Sequence, residues 1–345
     1  MQSFRPDFLP WNTSNANWIV IESAHMSDAF IADYAMTQVS GNIYALKCAE
    51  NWITVWQAMQ TDMTLIEASG EVRCAVISKA ELPPVAEIIY ELRPLSHLTM
   101  IAQNAWLVDA LLDNRIVSFL QQMQDRRGEV FGYEAFARAL NEDGSHESGA
   151  AIIKASREIK IEYRIDRFLH GKAIEAMVQG GYSGTLFVNF LPGFIQKPDV
   201  YLDGLSREVK RHGLVSERIA LDLTEAELPR NRKQIEAIGD YCKKQGYRIA
   251  LDNIGNADEA ARLIELLQPS FLKLGHEMTQ YVESPRAQET IKQIVKIAHT
   301  HGVTVIASRI ETQESLDILK SLGVDLFQGY HIGRPAQALA PSSAA

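Results

Sequence analysis

The chain has 345 residues, 46% hydrophobic and 22% charged, a balance that supports one large core or two smaller ones and excludes a disordered or fibrous polymer. Its 43 acidic and 34 basic residues give a net charge of −9 at pH 7 with no basic run to grip a nucleic-acid backbone, so nucleic acid is not an expected partner. No stretch approaches the roughly 18 consecutive apolar residues of a membrane span, the start MQSFRPDFLPWN lacks a signal-peptide pattern, and Cys48, Cys74 and Cys242 form no CxxC pair; a cytoplasmic protein without disulfides or a thiolate metal site is expected.

Residues 1–100 alternate apolar runs (Trp18–Glu22, Ile43–Leu46, Met63–Ile66, Val72–Ser78) with helix-like stretches (Ser27–Thr37, Trp52–Met59, Pro84–Leu92). They predict a small α/β or α+β domain with a regulatory or interaction role. The segments ending Ile66-Glu67 and Ile77-Ser78-Lys79 loosely resemble a response-regulator receiver, but Glu22 is followed by Ser23 where paired acids are needed. His25, Cys48, Cys74 and His97 are scattered and form no nucleophile and base pair. Ala102–Asn114 reads as a helix, either a connector or the start of the next domain.

From Ile116 onward, β-branched runs alternate with longer amphipathic segments. Strands are predicted at Ile116–Gln121, Glu129–Phe136, Thr185–Asn189, Arg218–Glu225, Arg248–Asn253, Phe271–Leu274, Thr304–Ile310 and Leu326–Tyr330. Helices are predicted at Leu205–His212, Arg232–Gln245, Ala257–Leu267, Pro285–His301 and Gln313–Leu322, with Gly213, Gly246, Gly302 and Gly323 as stops. This alternation predicts a (β/α)8 barrel over residues 101–336, preceded by the small domain and followed by a disordered tail at 337–345. Only Gln122–Gly128 separates the first two strands, too short for a parallel crossover, so that pair is expected to run antiparallel and the barrel to be a modified one.

Catalytic groups of such barrels sit at the carboxyl ends of strands. Glu134, Asn189, Glu225, Asp252 with Asn253, Lys273, Ser308 and Gln328 fall at or near those ends. Any one of them alone also fits a helix cap or a strand end. Recurrence on most of the strands is what points to an oxygen-rich site, of the donor type suited to magnesium, manganese or calcium.

Tyr133-Glu134-Ala135-Phe136-Ala137-Arg138, Phe187-Val188-Asn189, Leu223-Thr224-Glu225, Ala250-Leu251-Asp252-Asn253-Ile254-Gly255, Phe271-Leu272-Lys273, Ala307-Ser308-Arg309-Ile310-Glu311-Thr312, Gln328-Gly329-Tyr330 and Gly333-Arg334-Pro335 follow one another in order. Together they resemble the EAL domain family, cyclic di-GMP phosphodiesterases and their non-catalytic relatives, from about Ala102 to Pro335. The resemblance implies a two-cation phosphodiester site with Glu134, Asn189, Glu225 and Asp252 as metal positions, and with Lys273 and Glu311 as catalytic ones. It also shows departures. Asn253 stands where the family has a second aspartate, Ser308 where it has a glutamate, and Gly275 where its Lys-Ile-Asp ends. The loop after Gly255 becomes Asn256-Ala257-Asp258-Glu259-Ala260-Ala261, a more helical segment.

An unlike charge pair at ~4 Å is worth about 4 kcal/mol at an effective dielectric near 20, so losing two or three anions weakens a cation pair severely. The implied module is therefore a degenerate one that requires no cofactor, magnesium or manganese entering only with residual activity. Cyclic di-GMP is the implied small-molecule partner, and Arg138 is the family's phosphate-contacting arginine. Gln121, Asn189, Asp252, Arg309 and Gln328 complete the expected nucleotide-facing set. Three readings stay open at this point: a non-catalytic receptor or scaffold, an active phosphodiesterase, and a nucleotide-independent regulator binding an unidentified protein. Pairing of two barrels through their helices, as family members often do, is also open.

Overall fold

The computed structural model describes residues 17–48, 51–68, 70–141, 143–191, 198–224 and 232–338. The first elements are β1 (Trp18–Ser23), α1 (Asp28–Asp33), β2 (Thr37–Ser40), β3 (Ile43–Lys47), α2 (Trp52–Glu67), β4 (Val72–Ile77), α3 (Val85–Glu91) and the short β5 (Arg93–Pro94). Their sheet has the order β2-β3-β1-β4-β5, with β3 and β4 both antiparallel to β1. This is the βαββαβ arrangement of a ferredoxin-like unit with one strand added. Antiparallel pairing excludes the parallel sheet of a receiver. The run Met63–Ile66 ends α2 and is not a strand, because Trp52, Trp56, Met59, Met63 and Ile66 recur at helical spacing and are all buried. Three successive residues of β1, Ile19, Val20 and Ile21, are fully buried, so both faces of the sheet are covered. α2 packs on β1 and β4, and α3 on β4. Each such side chain contributes roughly 1.5–3 kcal/mol of burial.

The chain continues through α4 (Leu95–Gln103), α5 (Ala105–Leu112), β6 (Ile116–Asp125), β7 (Val130–Leu140), β8 (His146–Ser148), α6 (Gly149–Glu158), α7 (Glu162–Gln179) and β9 (Thr185–Asn189). It ends with α8 (Pro198–Arg211), β10 (Ile219–Thr224), α9 (Arg232–Gln245), β11 (Arg248–Ile254), α10 (Ala257–Leu267), β12 (Phe271–Leu274), α11 (His276–Gln280), α12 (Pro285–Thr300), β13 (Thr304–Ala307), α13 (Gln313–Ser321), β14 (Leu326–Phe327) and β15 (Ala336–Gln337).

β6, β7 and β9 through β14 close a barrel of eight strands. β7 and β9 through β14 run parallel in sequence order. β6 is antiparallel to β14 and leads directly into β7 through a turn closed by Asp125 N–H donating to Glu129 O at 2.9 Å. The first strand pair is thus antiparallel, as the seven-residue spacing required. Gly246 and Gly302 end α9 and α12 with φ of +81° and +72°, the left-handed turn for which glycine is suited.

Several boundaries differ from expectation. The first strand continues into the expected loop as far as Asp125, while β13 and β14 are shorter than predicted, ending at Ala307 and Phe327. α6 and α7 were not apparent as helices, because α7 carries Asp166 and His170 on its buried side and reads as polar. Ala336 and Gln337 pair with Leu120 and Phe119, so the expected tail begins as a strand; residues 339–345 lie outside the described ones.

The elements pack as two compact units, Met1–Arg115 with Ala139–Arg164, and Ile116–Arg138 with Ile165–Ala345, each over its described residues. In the first, α4 and α5 meet at the buried Asn104, whose Nδ2 donates to Met100 O at 2.8 Å and to Glu158 Oε2 at 2.9 Å. In the second, Met123, Phe187, Ala220, Ala250, Phe271, Ile306 and Leu326 form an apolar layer inside the barrel. No helix among the described residues is long and apolar enough to cross a membrane.

Candidate nucleotide site

Side chains of a strand alternate faces, so the residues two positions beyond the apolar layer share its inward face. From Phe187, Ala220, Ala250, Phe271, Ile306 and Leu326 that step leads to Asn189, Asp222, Asp252, Lys273, Ser308 and Gln328. The polar layer therefore sits directly over an apolar floor at the carboxyl ends of the strands.

Lys273 is at its centre and is 2% exposed. Its Nζ lies 3.0 Å from Glu134 Oε2, makes a short hydrogen bond to Asp222 Oδ2, and stands 5.8 Å over the Phe187 ring. Burial lowers an ammonium's affinity for its proton, but the carboxylates of Asp222, Glu134 and Asp252 outweigh this and hold Lys273 charged well above its ordinary value. Burial pushes the Asp222 carboxyl up to about 8 against the pull of Lys273. The other Asp222 oxygen, Oδ1, is buried with no hydrogen-bond partner among the described residues.

Between β11 and β12 the register slips, Leu251 facing Leu272 and Ile254 facing Leu274. Three residues on β11 thus span two on β12, a bulge that holds Asp252 and Asn253. Asn253 has φ +60°, a left-handed conformation that asparagine tolerates better than most residues. Its Oδ1 lies 3.3 Å from His276 N and 3.2 Å from His276 Nδ1. The helical reading of the following loop holds: Asn256 Oδ1 accepts from Glu259 N at 2.9 Å, and Glu259 Oε2 accepts from Gly255 N at 3.0 Å, capping α10.

Gln121 and Gln328 are buried and bonded to each other, Gln328 Nε2 donating to Gln121 Oε1 at 3.0 Å while Gln121 Nε2 donates to Gly333 O at 2.8 Å. Both amide nitrogens are thus engaged within the protein interior. Arg138 is half-buried, with its guanidinium 5.7 Å from the Phe119 ring and 5.9 Å from the Phe136 ring and one Nη1 bond to Ala137 O. Arg309 and Glu311 are exposed, and Arg309 has φ +60°. Their loop is bound to the one after β14, since Ile310 N donates to Gln328 O and His331 N to Ile310 O, both at 3.0 Å. A Cβ at Gly329 would come within 2.1 Å of Ile310 backbone atoms, so only glycine fits that approach. Glu225 lies outside the described residues.

Sequence reasoning passed over Asp222 and His276. The signal for Asp222 was an acid alternating with Leu221 and Leu223, two residues beyond Ala220 on the inward face. His276 gave none, since its contact depends on the bulge.

Among the described residues, no three His, Cys, Asp or Glu side chains gather closely enough to hold a metal ion. Glu134 and Asp222 direct an oxygen each to Lys273, and the Asn253 oxygen faces N–H donors of His276. Of the expected metal positions, Glu134 is thus engaged with Lys273, and Glu225 lies outside the described residues.

The model of the EAL domain family matches residues 104–335. A probable cyclic di-GMP phosphodiesterase of Escherichia coli K12, PdeA, is 24% identical over 234 residues, 66% of this chain and 31% of its own. The first three curated relatives are covered over only 30% to 52% of their length. Among solved structures, a standalone EAL protein of Vibrio cholerae O395 bound to cyclic di-GMP is 26% identical, with a TM-score of 0.59 over 66% of this chain and 94% of that one. The Xanthomonas citri FimX EAL domain in complex with cyclic di-GMP shares the fold, at 21% identity and a TM-score of 0.63 over 70% of this chain and 95% of that one. The layered polar mouth, its strand order and these likenesses coincide: the chain belongs to the EAL domain family.

Proposed function

We propose that this chain is a non-catalytic EAL protein that binds cyclic di-GMP as a receptor and passes the signal on through protein contacts. The observation that carries the reading is Lys273, whose ammonium lies between Glu134 and Asp222 where Asn253 and Ser308 already replace two acids. An ammonium ion there offsets part of the acidic charge that would repel a bis-phosphate. Arg138, within the same unit, offers the forked donors that a phosphate prefers. The cyclic di-GMP bound by the solved neighbours from Vibrio cholerae and Xanthomonas citri supports the choice of nucleotide. The first hundred residues are proposed as the input or docking module, and the cytoplasm, where such a messenger would be met, as its place.

Titration calorimetry of cyclic di-GMP with and without magnesium, beside a hydrolysis assay, tests this. Binding with no linear dinucleotide above background is expected. Metal-dependent hydrolysis would make it an enzyme, and absence of binding in every condition would leave a protein-binding regulator.

A further inference from the structure

We propose that Asn253 acts as a hydrogen-bond donor to phosphate, held in that role by His276, so that this position takes the phosphodiester directly and without a divalent cation. The proposal deepens the receptor reading and rests on it. It begins with the bulge. The extra residue in β11 brings Asn253, next to the inward-facing Asp252, to the carboxyl end of the barrel, and the left-handed φ of +60° fixes its backbone there. Non-glycine residues held in this conformation concentrate at functional sites.

The orientation of the amide follows from its neighbours. A backbone N–H can only donate, so the Asn253 atom 3.3 Å from His276 N is the carbonyl oxygen. The His276 ring adds a second donor at 3.2 Å when Nδ1 carries the proton. With Oδ1 engaged, the end of Asn253 left for a ligand is Nδ2, which carries two N–H groups and no lone pair suited to a cation. An aspartate here would turn one oxygen to His276 and present the other to a metal. The asparagine presents a donor in the same space. What a metal ion would accomplish through charge, Asn253 accomplishes in part through a hydrogen bond to a phosphate oxygen, while Lys273 holds the acids Glu134 and Asp222 in check.

The test is titration of the full chain with cyclic di-GMP in EDTA and in magnesium, for the wild type, Asn253→Asp and Asn253→Gly. The wild type should bind equally in both buffers. Asn253→Asp, which keeps shape and tolerates the same φ, should bind at least tenfold more weakly in EDTA and regain affinity in magnesium. Asn253→Gly, which relieves any backbone strain while deleting the amide, should lose three- to tenfold in both buffers. Wild-type binding with unchanged Asn253→Asp affinity in EDTA would overturn the donor role while leaving the receptor reading intact. A wild type that binds only with magnesium would also overturn it. Failure of the wild type to bind in either buffer would remove the receptor reading and this proposal together.

Discussion

Lys273 Nζ lies 3.0 Å from Glu134 Oε2 inside the barrel, with side chains 2% and 9% exposed. The same nitrogen bonds Asp222, so one buried ammonium serves two largely buried acids. Removing one partner of a buried ion pair leaves an uncompensated charge and costs about 3–5 kcal/mol. Lys273→Met should therefore lower unfolding stability on that scale in a denaturant titration. A loss below 1 kcal/mol would mean that Glu134 and Asp222 do not depend on it.

Asp222 gives stability a pH dependence whose sign is fixed by its raised pKa. Folded, the carboxyl titrates at about 8, against an ordinary value of 3.8. Between these limits the native state holds a proton that the unfolded chain releases, so this contribution is present below about pH 4 and is lost as pH rises toward 8. Unfolding free energy measured from pH 5 to 9 should fall more steeply for the wild type than for Asp222→Asn, which removes the titration. Parallel profiles would place the Asp222 titration elsewhere.

The missing acids lead to a prediction about metal. Because Asn253 and Ser308 replace carboxylates, Asn253→Asp with Ser308→Glu should raise affinity for magnesium or manganese, measured by calorimetry without nucleotide. The bulge and the strand end at Ala307 bring both positions to the same end of the barrel. No gain in affinity would show that acids at these positions do not meet in one site.

The Arg138 guanidinium lies 5.7 Å from the Phe119 ring and 5.9 Å from the Phe136 ring and donates through Nη1 to Ala137 O. If it forks to a phosphate, Arg138→Ala should cost roughly 1.5–3 kcal/mol of cyclic di-GMP binding, about ten- to 150-fold in Kd. Arg138→Lys, which keeps charge but loses the planar fork, should fall between the two. An unchanged Kd for Arg138→Ala would take it out of the site.

The barrel was legible because its strands are short β-branched runs and its helices carry glycine stops; the ranges of β9, β12, α9 and α10 match the sequence reading residue for residue. Polar residues at strand ends located the mouth for the same reason, since a period of two places them over the apolar layer. Three things were hidden. Asp222 hid between two leucines, and its role appears only when Lys273 arrives from a strand 51 residues away. The bulge at Asp252 and Asn253 is a property of pairing with β12, which no local pattern encodes. The lengths of β13 and β14 were overread because Ile310 and Gln328 bond to each other across loops with strand-like composition.

The packing of the first unit predicts how the chain responds to being cut. A fragment Ala102–Ala345 retains every barrel strand, yet it starts inside a helical layer where Leu107, Val108, Ala110 and Leu111 of α5 are at most 2% exposed and pack on α4 and α6. Asn104 ties that layer to Glu158 at 2.9 Å, and the hydrogen bond to a charged group is worth about 1.5–3 kcal/mol. The chain leaves the first unit at Arg115, builds β6 and most of β7, and re-enters it at Ala139, so no single cut separates the two units. Ala102–Ala345 should be insoluble, or should melt with lower cooperativity and at a lower temperature than the full chain. Asn104→Ala in the full chain should reproduce part of that loss in a thermal melt, because it breaks the same layer without a cut. A soluble fragment melting as sharply and as high as the intact protein would instead establish the first hundred residues as an independent input domain, with α5 and α6 belonging to the barrel.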